Sequence, residues 1–181
     1  MREDRPFPLP NVDPGQIWLI EHDPSAAFGA LDRTVLSHAN VVLYDRALAA
    51  LVEQALPIGA YAEPLPATVP LAGPAIAARA LEFAIGGWSV VQLVAAGPAW
   101  RARLPVLPPA LLQAQRSGAL PVRVIVKTAS DRHRELDASL DDIAELVRES
   151  GDDELLTLAF GPFVARQAAQ AHAFTANGLA G

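Results

Sequence analysis

The chain of 181 residues has no cysteine at all, which excludes a disulfide framework, any thiolate metal site and a cysteine nucleophile, and fits a cytoplasmic protein. It has no excess of basic charge. A net charge of −6 and a pI near 5.1 argue against broad capture of nucleic acid, which needs a basic face to neutralise phosphates. No apolar run approaches the roughly 20 residues that span a bilayer, and Met1 to Pro14 is charged and proline-rich with no apolar core, unlike a signal peptide. Internal repeats and low-complexity tracts are lacking too. So are the spacings HxxH, HxH and HExxH, and Ser25 and Ser89 lack the nucleophile-elbow pattern of a serine hydrolase.

What the sequence does have is a hydrophobic content of 51%, enough for a sizeable core in one domain or two small ones. Residues 1–15 read as an extended lead-in, because prolines remove backbone donors and bias their neighbours away from helix. Ile17 to Ile20 is an apolar run of strand length. Ala26 to Ala39 follows with Phe28, Leu31, Val35, Leu36 and Ala39 at helical spacing. Val41 to Leu43 reads as a buried strand, and Ala47 to Leu56 as a helix stopped by Pro57. Ile58 to Tyr61 reads as a weak strand, Ala75 to Ile85 as a helix bounded by Pro74 and Gly86-Gly87, and Trp88 to Val94 as an apolar strand. Alternation of this kind argues for an α/β fold with a mostly parallel sheet in the N-terminal half.

The proline-rich stretch 101–120, with a short helical candidate at Ala110 to Arg116, marks a boundary between an N-terminal α/β domain (16–100) and a C-terminal one (121–181). Beyond it, Val122 to Val126 is the clearest strand. Ser139 to Ser150 reads as a helix with Ser139 as its N-cap, Asp141 and Asp142 at the positive end of the dipole and Gly151 at its close. Leu155 to Phe160 is a further strand and Val164 to Phe174 a terminal helix.

Two segments carry a family likeness: Ile17-Trp-Leu-Ile20, and His38-Ala-Asn-Val-Val-Leu-Tyr-Asp-Arg46. Together they resemble the opening strand-helix-strand of the tetrapyrrole methylases, which include uroporphyrinogen-III C-methyltransferase. In the second half, Leu120 to Thr128, Arg132 to Ala144 and Glu154 to Gly161 look like the strands and helix of that family's C-terminal domain, in order. The resemblance implies two small α/β domains, a homodimer, and a cleft that takes S-adenosylmethionine beneath a trough for the tetrapyrrole. It places Pro24, Ala95, Ala96, Gly97 and Pro98 at the cofactor and Tyr44, Asp45 and Arg46 at the substrate.

The motifs depart from the family pattern at each cofactor loop. The glycine-rich turn GxGPGD is replaced by Glu21-His22-Asp23-Pro24-Ser25-Ala26, which sets carboxylates where backbone should approach a ligand. The run VVRLKGGDP becomes Val90-Val-Gln-Leu-Val-Ala-Ala-Gly-Pro98, in which Gly97 stands in for an aspartate acceptor. The segment with the PGVTS turn has no counterpart between Trp100 and Pro121. Two readings follow: a methyltransferase acting on a tetrapyrrole carbon, or a non-catalytic dimeric binding or scaffold module that keeps the methylase fold.

Other clusters have competing readings. Glu21, His22 and Asp23 have the donors for a divalent cation, but one turn supplies too few ligands, so no metal is expected. Lys127, Arg132, His133 and Arg134 would meet carboxylates or phosphate, or form a solvated surface. Trp18, Trp88 and Trp100 read as core or domain-interface aromatics. Asp45 and Tyr44 would otherwise cap the helix that follows them.

Overall fold

The computed structural model describes residues 10–65, 73–101, 121–128, 133–151 and 154–161. Seven strands and five helices of these residues run in the order β1 (Ile17–His22), α1 (Ala30–Ser37), β2 (Val41–Tyr44), α2 (Ala49–Ala55), β3 (Tyr61–Pro64), α3 (Gly73–Ile85), β4 (Val90–Ala95), α4 (Pro98–Arg101), β5 (Pro121–Lys127), β6 (His133–Ser139), α5 (Ile143–Glu149) and β7 (Leu155–Phe160). All strands share one sheet in the order β3-β2-β4-β1-β7-β5-β6. The first four are mutually parallel, and β7, β5 and β6 add antiparallel pairs. The fold class is therefore mixed α/β with its parallel part in the N-terminal half. The strands of both halves meet at β1, which bonds to β4 on one side and to β7 on the other.

Strands covered on both faces should be apolar throughout, and β1 and β4 are buried along nearly their whole length. Alternate side chains build two cores. Trp18, Ile20, Val42, Val91 and Leu93 face Leu31, Val35 and Leu36 of α1 and Val52 of α2. Ile17, Leu19, Val41, Val90 and Leu158 face Ala80, Leu81 and Ala84 of α3 and Ile143 and Val147 of α5. The helical spacing read at Phe28, Leu31, Val35, Leu36 and Ala39 marks the buried stripe, since all five are buried.

Several expected boundaries shift for local reasons. Helix α1 begins at Ala30 rather than Ala26, because residues 23–26 are held in a turn in which Asp23 accepts from the Ser25 backbone and hydroxyl. The strand expected at Ile58 to Tyr61 is displaced to Tyr61–Pro64, since Gly59 turns at φ 87° and Ala60 N–H closes back on Pro57. Strand β4 starts at Val90 instead of Trp88, after Gly87 at φ 88° and a bond from Trp88 N–H to the Phe83 carbonyl. The N-terminal turn at Ser139 is present: its N–H and hydroxyl both donate to Asp142, which opens a short 3₁₀ turn into α5. The lead-in before Pro10, the helices expected at Ala110 to Arg116 and Val164 to Phe174, and the 101–120 boundary apart from Arg101 lie outside the described residues.

Candidate functional site

In open α/β sheets ligands are taken at the carboxyl ends of the parallel strands, where the chain reverses the direction in which it adds strands. That point falls between β1 and β4, because the chain leaves β1 for β2 and β3 and then returns to insert β4 between β2 and β1. The loops after β1, β4 and β2 lie side by side at this end. Ala96 N–H donates to the His22 carbonyl at 2.8 Å and Asp45 N–H to the Leu93 carbonyl at 2.9 Å. The structure thus gathers Pro24, Tyr44 to Arg46 and Ala95 to Pro98 at one end of three adjacent strands.

Their side chains have local duties as well. Asp45 accepts from Ala47 N–H at 3.1 Å and caps the turn at Arg46–Leu48 that leads into α2. Tyr44 is half-buried against the α1–α2 core, while Arg46, Pro24 and Pro98 are exposed. Gly97 has φ 151°, a conformation side-chain-bearing residues rarely adopt, and nothing lies within 4 Å of the place a Cβ would take. The space beside its Cα is therefore open.

The acidic turn does not present its carboxylates as the sequence suggests. Glu21 is fully buried. It accepts from Leu156 N–H at 3.1 Å and from Arg101 Nε at 3.4 Å, and Arg101 also donates to the carbonyls of Gly151 and Glu154. One arginine on α4 so ties the end of β1 to the segment entering β7. Asp23 is exposed and spends its carboxylate on Ser25, whose hydrogen bonds hold it below the usual carboxylate range.

On the opposite face of β1 lies a second buried charge cluster. Lys127 Nζ, at the end of β5, donates to both Asp32 oxygens at 2.8 Å. His22 Nε2 lies 3.0 Å from the Ala26 carbonyl, which can only accept, so the donor is the ring nitrogen. Its Nδ1 sits 3.3 Å from Asp32 Oδ2 without hydrogen-bond alignment, and the ring stacks at a tilt on Phe28 at 4.4 Å. Burial pushes the Asp32 carboxyl up, but the combined pull of His22 and Lys127 outweighs it and holds the group below its ordinary range.

This corrects the reading of the basic group. Lys127 is a buried partner of Asp32 and is neither solvated nor open to a ligand, while His133 is half-buried, Arg134 is exposed and Arg132 lies outside the described residues. Trp18 is core at 1% exposure, as expected, but Trp88 is 51% exposed at the opposite end of the sheet, so it is not a core residue. The Trp100 side chain lies outside the described ones. Glu21, His22 and Asp23 diverge to three different partners, and no group of three or more candidate metal ligands forms among the described residues.

The Asp32–Lys127 and Glu21–Arg101 pairs were not read from the sequence. A signal for the first was present: Asp32 falls at i, i+3 and i+4 with Val35 and Leu36, on the apolar stripe of its helix, where a carboxylate needs a buried cation. No comparable signal marks Arg101.

None of the known protein-family models matches the chain, and none of the curated proteins does. Among solved structures, the chain is similar to cobalt precorrin-4 methyltransferase, described as a cobalamin biosynthetic enzyme, at 14% identity and a TM-score of 0.36. The match covers 80% of this chain and 94% of that one. A likeness of this size shows neither a shared site nor a shared reaction.

Proposed function

We propose that this chain is a tetrapyrrole-methylase-like protein, related to the S-adenosylmethionine-dependent uroporphyrin-III C-methyltransferases, that keeps the architecture as a dimeric binding module and no longer transfers methyl groups. The family likeness rests on the sequence segments around Ile17 to Ile20 and Val41 to Arg46, now seen as β1 and β2 of a parallel sheet. The loss of chemistry rests on one observation. At the end of β1, where the family opens a glycine turn to its cofactor, Glu21 is fully buried and consumed by Arg101 and Leu156 N–H.

In an active member, Pro24 and Ala95 to Pro98 would hold S-adenosylmethionine, and Tyr44, Asp45 and Arg46 would meet the tetrapyrrole. The residues present fit that cofactor poorly. Gly97 offers open space but no directed acceptor, Asp23 is turned to Ser25, and Asp45 caps its own helix. Methyl transfer depends mainly on positioning and on exclusion of water, so a site without those anchors loses the terms that accelerate it.

Calorimetric titration with S-adenosylmethionine and S-adenosylhomocysteine, beside an absorbance titration with uroporphyrin III, tests the reading. Absence of cofactor binding up to millimolar ligand, with tetrapyrrole binding retained, is the expected result. Micromolar cofactor binding accompanied by methylated product would overturn the loss of chemistry; failure to bind either ligand would overturn the family function altogether. Sedimentation velocity reads the dimer.

A further inference from the structure

At the sheet edge opposite β3, the last strand β6 and helix α5 leave a groove between them on the face that α3 and α5 cover. Its deeper part, of about 50 Å³, is walled by core side chains that include Val124, Ile143, Val147 and Leu158, none more than 9% exposed. Its outer part, of about 310 Å³, opens toward solvent, and the two share Leu136, Leu146 and Glu149 in their walls. Leu136 and Leu146 are only half-buried, so apolar surface reaches the mouth.

The rim of this mouth is acidic. Asp142, Glu145 and Glu149 line the outer part, with no basic residue among the described residues that line it, and Asp137 borders it only through β6, where its side chain alternates to the other face. Asp142 stays ionised because the Ser139 hydroxyl and N–H hold its carboxyl low. Glu145 and Glu149 lie one turn apart on the exposed side of α5. The nearby Glu135 is already matched by Arg123 at 2.8 Å, and the exposed Arg134 shares the lining of the deeper part with Glu149.

An apolar slot between a helix and an edge strand, ringed by carboxylates, matches the face of an amphipathic helix whose leucine-type residues recur at i, i+3 and i+4 and whose flanks carry lysine or arginine. We infer that this groove is a docking surface for a basic amphipathic helix of a partner protein. The charge of the rim decides the sign of the partner, and the half-buried leucines decide that it brings apolar side chains rather than charge alone. A basic segment without an apolar stripe would leave Leu136 and Leu146 uncovered, and an acidic one would face the carboxylates of Asp142, Glu145 and Glu149.

The test uses the full chain and a fluorescein-labelled synthetic helix of leucine and lysine in that pattern, read by fluorescence anisotropy. Its twin with glutamate for lysine and a scrambled lysine peptide serve as controls. The expected result is micromolar binding of the amphipathic basic peptide only, weakened about tenfold by the double substitution Glu145→Lys and Glu149→Lys and by raised salt. Glu53→Lys, an equally exposed charge change on α2, should leave it unaltered. Equal loss with Glu53→Lys, equal binding of the scrambled peptide, or no binding at all would overturn the assignment. So would a dimer that the groove substitutions dissociate, since the occupant would then be a second copy.

Discussion

Replacing Lys127 by methionine isolates the largest electrostatic commitment in the described fold. The ammonium group touches both oxygens of a carboxylate with no solvent exposure, and it is itself only 7% exposed. Methionine keeps most of the side-chain volume and removes the charge. Asp32 would keep the Gly29 N–H at 3.3 Å and the misaligned His22, which cannot replace a bidentate cation. Breaking a buried pair from one side costs about 3–5 kcal/mol, a large share of the roughly 5–15 kcal/mol that holds a domain folded. Urea unfolding followed by far-ultraviolet circular dichroism reads this as a lower midpoint at unchanged slope. The double variant Asp32→Leu with Lys127→Met should recover most of the loss, since removing both charges leaves no uncompensated group. Lys127→Arg keeps the charge and guards against a variant that simply fails to fold. The pH dependence carries the same information. Asp32 titrates lower folded than unfolded, so its contribution is complete above the unfolded carboxylate value of about 3.9 and is lost as pH falls through the lower folded value. The Asp32→Leu, Lys127→Met pair should lose that acid-side slope. A Lys127→Met protein within about 1 kcal/mol of the parent, a value typical of exposed pairs, would refute the reasoning.

Two further outcomes bear on the carboxyl end of the sheet. Arg101→Met should destabilise by about 2–4 kcal/mol, because it strands the buried Glu21 carboxylate with Leu156 N–H as its remaining donor among the described residues; a change below about 0.5 kcal/mol in thermal or urea unfolding would show that the clasp is not formed. Asp45→Ala should cost about 1 kcal/mol through the lost cap on Ala47, while uroporphyrin III titration of the same variant tells whether the residue touches ligand as well: unchanged affinity assigns it to capping alone.

How much was legible in the chain varies with the kind of interaction. The apolar stripes of α1 and of the strands state their own burial, and both cores are made of the residues that periodicity picks out. Pro57, Gly86-Gly87 and Ser139 mark element ends through backbone chemistry that acts within a few residues. The same local chemistry explains the misplaced boundaries, because the turns at 23–26 and 57–60 use hydrogen bonds that hydropathy does not register. Trp88 misleads for a related reason: an aromatic next to an apolar strand looks like core, and only the turn before β4 leaves it at the surface.

The sequence by itself determined the alternation of strands and helices, the parallel N-terminal sheet and the loops that would sit at its carboxyl ends. These follow from patterns of period 2 and 3.6 and from turn residues, which are short-range. Tertiary structure alone decided that Glu21 faces inward while Asp23 faces solvent, because Glu21 still lies in β1, where Arg101 and Leu156 N–H meet it, whereas Asp23 follows the strand's end at His22 in a turn that spends it on Ser25. It alone brought Lys127 to Asp32, 95 positions away, and Arg101 to Glu21, 80 away. Charges find such partners only when the sheet has closed, since the low-dielectric interior that makes pairing compulsory does not exist before it does.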